Sequence, residues 1–151
     1  MKISADDLSG DGIARFLADH LEEMRATTPL ESRHALDVDS LRSPYVTFWS
    51  VTDNDVIVGC GALLRLADDH AELKSMRTDP ARRRRGVASF LLSHIIVAAP
   101  RRGFTRISLE TGAGESFRPA RRLYEKFGFG YCEPFADYTS DPRSTFMTRA
   151  V

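Results

Sequence analysis

Between Ala71 and Pro100 the chain changes character once, and abruptly: "AELKSMRT" alternates like a strand, "DPARRRR" is a charged loop, and from Gly86 "VASFLLSHIIVAA" is apolar almost all round. So apolar a segment is expected to be a helix buried on more than one side and ended by Pro100. The strand before it is expected to show Glu72, Lys74 and Met76 on one face and Leu73 and Ser75 on the other. A strand, a short loop and a buried helix in that order require a sheet with helices packed on it.

The flanking segments fit such a sheet. Lys2 to Ser4 reads as a short strand, and Ile13, Phe16, Leu17, Leu21 and Met24 recur at helical spacing behind "SGDG". Pro29 opens an expected short helix through Ala35, with a loop running on to Pro44. "YVTFWSV" and "VIVGCGALLRL", rich in β-branched and aromatic residues and separated by "TDND", read as an antiparallel hairpin. "RISLETG" is a strand bounded by Gly103 and Gly112. It leads to a helix with Ser116 as the expected N-cap, Ala120, Leu123, Tyr124 and Phe127 on one stripe, and Gly128 just beyond its end. "FGYCEPF" and "STFMTRA" close the chain as strands. Strands alternating with helices in the second half imply an α/β fold with crossover connections and a mixed sheet.

A length of 151 residues suits one domain over 1–151. Lys and Arg number 21 and Asp and Glu 21, so the field that drives nonspecific nucleic-acid binding is missing, and the arginine run is a local feature. Cys60 and Cys132 stand in no metal-ligand spacing and suit reduced thiols, which points to a cytosolic compartment and no metal. The first residues carry no apolar signal core, and no run approaches the ~18 apolar residues of a membrane span.

The loop before Gly86 has the makings of an anion site. Unpaired backbone N–H groups at a helix start converge on one point, and the helix dipole adds about half a positive charge there. Gly86 admits a ligand close to the backbone, Ala88 is nearly as small, and the arginines can pair with phosphate oxygens. The glycines of the dinucleotide fingerprint and of the nucleotide-triphosphate loop are lacking, so a different phosphate carrier is indicated.

Arg83-Arg84-Arg85-Gly86-Val87-Ala88 resembles the Arg/Gln-x-x-Gly-x-Gly/Ala motif of the GNAT N-acetyltransferase superfamily, whose loop cradles the pyrophosphate of acetyl-CoA. "AELKSMRTDPARRRRGVASFLL" resembles the whole strand, loop and helix of that family, and "ARRLYEKFGF" its other recurrent segment. The resemblance is best from Val46 to Phe129, and "ETG", "EPFADY" and "STFM" look like a bacterial branch of small GNAT proteins.

The resemblance implies a mostly antiparallel central sheet flanked by helices and splayed around the acyl-CoA site, and an enzyme that passes an acetyl group from acetyl-CoA directly to a primary amine. Backbone groups of Met76, Arg77 and Thr78 would hold pantetheine, and amides of Arg84 to Ser89, through Arg85, Gly86, Val87 and Ala88, the pyrophosphate, with Arg83 beside them. A backbone N–H near Met76 would steady the oxyanion. Tyr124 falls where the family often has a tyrosine that protonates the departing thiolate; its plainer role is core packing. Glu72 stands where several members place a carboxylate base; its plainer role is a surface ion pair with Lys74 or an arginine. Phe117 replaces a common cofactor-binding asparagine and offers packing instead of an amide hydrogen bond.

His34 lies in a segment that in the family lines the substrate pocket, whereas His20 and His94 read as structural. Asp137 and Tyr138, near the end, would meet a cationic amine. The partner is a small-molecule or peptide amine, with neither nucleic acid nor membrane, and a homodimer is common in the family. The competing function is a CoA-binding sensor that has lost catalysis.

Overall fold

The structure, a computed structural model, describes residues 1–27 and 38–151. The Pro29–Ala35 helix and His34 fall outside the described residues. The elements run β1 (Lys2–Ala5), α1 (Asp11–Thr27), α2 (Val38–Leu41), β2 (Val46–Asp53), β3 (Val56–Ala67), β4 (His70–Thr78), α3 (Val87–Arg101), β5 (Arg106–Gly112), α4 (Arg118–Lys126), β6 (Gly130–Tyr131) and β7 (Ser144–Ala150). Seven strands share one sheet in the order β1-β2-β3-β4-β5-β7-β6. β1 with β2, β2 with β3, β5 with β7 and β6 with β7 are antiparallel, and β4 with β5 is parallel. This is the mixed, mostly antiparallel sheet flanked by helices that the GNAT resemblance implies.

The chain forms two compact units, Met1–Leu64 with Lys74–Leu92 and Arg65–Leu73 with Ser93–Val151. In the first, the β2–β3 hairpin turns through Asn54 and Asp55, both left-handed at φ 50° and 64°. That is the conformation a two-residue hairpin loop requires, and Asn and Asp tolerate it better than most residues. Its core joins Leu8, Ile13, Phe16 and Leu17 to Leu41, Phe48, Cys60 and Ala62. The helical spacing of Ile13, Phe16 and Leu17 is therefore a buried stripe.

β4 departs from the expected alternation. Ala71, Glu72 and Leu73 are all buried, and Ser75 is left-handed at φ 57°. A left-handed residue inside a strand turns the chain out of its pleat, so the faces assigned from period two do not carry through Ser75.

α3 is also less enclosed than expected. Leu91, Leu92, Ile95 and Ala99 are buried, but Phe90 and Val97 are 41% and 58% exposed, and His94 is exposed rather than part of the core. The helix runs one residue past Pro100 and stops at Gly103, left-handed at φ 90°, where Phe104 N–H bonds Ala99 O at 3.1 Å and Gly103 N–H bonds Pro100 O at 3.0 Å.

In the second unit α4 ends the same way. Gly128 N–H bonds Glu125 O and Phe129 N–H bonds Tyr124 O, each at 3.0 Å, and the Phe129 ring packs edge-on against Tyr124 at 5.8 Å. Its start differs from expectation. Ser116 lies in a single 3-10 turn, Glu115–Phe117; Phe117 is the N-cap, and Pro119 stands in the first turn, where its missing N–H costs nothing. Of "FGYCEPF" only Gly130 and Tyr131 pair as strand, and the chain then leaves the sheet.

His20, on α1, is half-buried and pushed down to about 4, first by loss of water and then by the Arg77 cation. The fold thus holds neutral imidazole while the unfolded chain takes a proton below 6.5, so stability rises with pH across that interval. We expect thermal stability to fall as pH drops from 6.5 toward about 4, and His20→Gln to flatten that fall. A pH–Tm curve equally steep in the variant would assign the loss to another group.

Candidate active site

The loop from Asp79 to Gly86 lies wholly within the first unit. Asp79 N–H bonds Val58 O at 2.9 Å, and its Oδ1 accepts from Ala81 N–H at 3.1 Å, so β3 fixes where the loop begins. Its far end is set at Val87, the first residue of α3. A Cβ built on Gly59 would lie 2.7 Å from Val87 Cγ1 and 3.2 Å from Arg77 O, so only glycine lets that residue seat on β3.

Gly86 is left-handed at φ 81°, and a Cβ there would meet nothing within 4 Å. Its carbonyl accepts from Phe90 N–H at 2.9 Å, which makes it the cap from which the first amides of α3 project. Arg84 is left-handed as well, at φ 65°, an uncommon conformation for a residue with a Cβ.

The arginines divide into two pairs. Arg82 reaches Asp53 at 3.0 Å and Arg83 reaches Glu23 at 2.8 Å, so both are tied back to the unit. Arg84 and Arg85 are exposed and hold no ion pair or hydrogen bond among the described residues. Glu23 also accepts from Arg77, whose side chain is only 8% exposed and whose guanidinium lies 5.1 Å from the Phe16 ring centre. Burial pushes the Glu23 carboxyl up, but the two arginines outweigh it and hold it below the usual range. Arg77 Nε is buried without a partner, so this arginine is held by its end and by ring contact.

The second unit carries a different chemistry. In the β4, β5 and β7 registers Glu72 lies opposite Ser108, Ser108 opposite Thr148, and Glu110 opposite Phe146. Because side chains alternate, His70, Glu72, Arg106, Ser108, Glu110, Phe146 and Thr148 share one face. His70 Nε2 is 2.7 Å from Ser108 Oγ, which is 2.9 Å from Thr148 Oγ1, and Ser144 Oγ donates to Glu110 at 2.7 Å. Glu72 is 3% exposed, and the Tyr138 hydroxyl donates to its carboxylate. It is therefore not a surface strand glutamate.

Tyr124 is fully buried on α4. Burial first, then the charge of Glu110, raise its phenol well above 10, so it stays protonated at neutral pH. Cys60 is likewise pushed up to about 12 by burial and is an inert thiol, and both cysteines are free. Among the described residues no cluster of His, Cys, Asp and Glu is arranged to hold a metal ion, and no helix is long and apolar enough to cross a membrane.

Residues 13–129 match the acetyltransferase (GNAT) family. The whole chain is 52% identical to the whole of an uncharacterized N-acetyltransferase, YsnE, of Bacillus subtilis. It is 50% identical to YedL, an uncharacterized N-acetyltransferase of Escherichia coli, over 97% of this chain and 92% of that one. The chain belongs to the GNAT acetyltransferase family. Its activity is acetyl transfer. Its fold is also that of a solved aminoglycoside 6'-N-acetyltransferase complexed with coenzyme A, with a TM-score of 0.72 at 18% identity over 99% of this chain and 97% of that one.

Several site residues escaped sequence reasoning. Gly59 sits inside an apolar strand run, where its partner Val87 has no sequence signal. His70, Ser108 and Glu110 gain meaning only from register. Phe117, read from the sequence as a packing residue, is the ring that fills the space beside Gly112, a contact the sequence does not show: a Cβ there would lie 2.1 Å from Phe117 Cδ2. Arg121 Nη1 completes the corner, donating to Gly112 O at 2.7 Å and Gly114 O at 2.8 Å. Gly112→Ala is expected to cost about 1–3 kcal/mol by overpacking this corner. In a Phe117→Ala background the same change should cost almost nothing, as read by denaturant unfolding.

Proposed function

We propose that this GNAT enzyme, acting as one domain over 1–151, binds acetyl-CoA and passes the acetyl group directly to a primary amine. The observation that carries the reading is the loop at Gly86: a left-handed glycine with open space beside it, amides of a helix start, and two exposed arginines without partners among the described residues. Amides of Arg84 to Ser89, including Arg85, Gly86, Val87 and Ala88, take the pyrophosphate, and the arginine side chains add charge. Backbone groups of Met76, Arg77 and Thr78 take pantetheine, just beyond the point where Ser75 turns β4 out of its pleat. Phe117 contributes packing.

Bound acetyl-CoA supplies an activated thioester, so the protein's work is positioning and proton management. Glu72 accepts the proton that the attacking amine gives up. Tyr124, kept protonated by burial, returns a proton to the thiolate. The backbone near Met76 steadies the oxyanion. The acceptor is a small-molecule or peptide amine, met by the segments that carry His34 and, further on, Asp137 and Tyr138. A cytosolic homodimer is the setting that suits two free thiols and this family.

Gly86→Glu is expected to abolish acetyl-CoA binding in isothermal titration, because it places a bulky negative group at the phosphates in a backbone conformation that disfavours it. Unaltered affinity would remove the loop from the cofactor site. Tyr124→Phe should lower kcat by about a hundredfold with little change in the acetyl-CoA KM. Normal turnover would return Tyr124 to the core. Release of CoA thiol across a panel of amines identifies the acceptor; binding without transfer to any of them would favour a sensor.

A further inference from the structure

We propose that Tyr138 is a positioning residue for Glu72, holding its carboxylate oriented for proton abstraction through a hydroxyl fixed by an aromatic cluster. The inference rests on the reading of Glu72 as the base, and on contacts that lie within the second unit.

The local chain explains why the hydroxyl points where it does. After β6 the chain turns at Phe135, whose carbonyl accepts from Tyr138 N–H at 3.1 Å across a left-handed Ala136 at φ 51°. That turn leaves Asp137 exposed at its tip and brings the Phe135 and Tyr138 rings together, with centres 5.2 Å apart. Phe146, from β7, meets Phe135 at 5.8 Å and Tyr138 at 5.4 Å, and Phe135 also lies 6.1 Å from the His70 ring. Phe146 shares its sheet face with Glu72, so a ring seated on Phe146 lies over that face. Tyr138 is packed by neighbours, and the conformational cost of aiming its hydroxyl falls on the fold rather than on the reaction.

Glu72 needs such a partner. A carboxylate almost wholly removed from water is costly unless hydrogen bonds replace the lost solvation, and a bond to a charged acceptor is among the stronger ones. Burial and the bond to Glu72 both raise the Tyr138 phenol, so it acts as a donor across the neutral range and does not compete for the proton. The neighbouring charges on the same face, Glu110 and Arg106, and His70 beside them, are held by other contacts of their own.

Tyr138→Phe removes only the hydroxyl and leaves the ring cluster. A double-mutant cycle with Glu72→Gln, read as kcat and as the KM of acetyl-CoA, tests the assignment. Tyr138→Phe alone should lower kcat by about tenfold, the weight of a hydrogen bond to a charged group, with the acetyl-CoA KM unchanged. In the Glu72→Gln background the same change should alter kcat by less than about twofold, because the residue it acts through is gone. Equal losses in both backgrounds, or wild-type turnover in Tyr138→Phe, would overturn the positioning role and leave Glu72 as the base. Wild-type turnover in Glu72→Gln would overturn the base reading, and the positioning role with it.

Discussion

The seat of Val87 on Gly59 is the contact on which the geometry of the Asp79–Gly86 loop depends. A helix start aims its free amides only as well as its first residue is held, and Val87 is held by β3 at a distance no other residue at Gly59 would allow. The bond from Asp79 N–H to Val58 O anchors the loop's other end to the residue next to Gly59. One short segment of β3 therefore sets both ends of the loop, and the left-handed Gly86 closes the remaining angle. The arginines that stand out in the sequence come second to this. Two of them are tied to Asp53 and Glu23, while Arg84 and Arg85 are exposed and unpaired among the described residues.

A second constraint governs the β4, β5 and β7 strands. One face of them carries Ala71, Leu73, Ile107, Leu109 and Met147, all buried, and is ordinary core. The other buries Glu72 and Ser108 and holds His70 half-buried. Taking such groups from water is unfavourable unless each finds a partner, and here they do: Tyr138 for Glu72, and a chain of hydroxyls for His70. A fold selected for stability alone would fill that face with aliphatic side chains. It is the face that carries Glu72, the base of the proposed reaction.

The parts of the fold legible in the sequence are those decided by local backbone physics. Asn54 and Asp55 specify their turn, and Gly103 and Gly128 end their helices, because each stands where a left-handed residue is needed. Expectations failed where tertiary contacts compete with local preference. Period two breaks at Ser75, where the strand is turned out of its pleat. Ser116 yields the cap position because a 3-10 turn and Pro119 begin the helix instead. Phe90 and Val97 face outward although their residue types belong inside, since the core takes only one side of α3. Beyond Tyr131 the aromatic run leaves the strand because Phe135 and Tyr138 cluster with Phe146 rather than pair.

By itself the sequence determined the order of strands and helices from Val46 onward, the glycine-centred loop before α3, and the membership that its motifs carry, because each depends on residues adjacent in the chain; the helix Val38–Leu41 falls where the sequence reads as loop. Only the tertiary structure decided that a side chain at Gly59 would push against Val87, which of the loop's arginines are unpaired among the described residues, and that Tyr138 meets Glu72 across 66 positions of sequence. Those pairings depend on strand register and on what each buried polar group finds opposite it, and neither is written in any short stretch of residues.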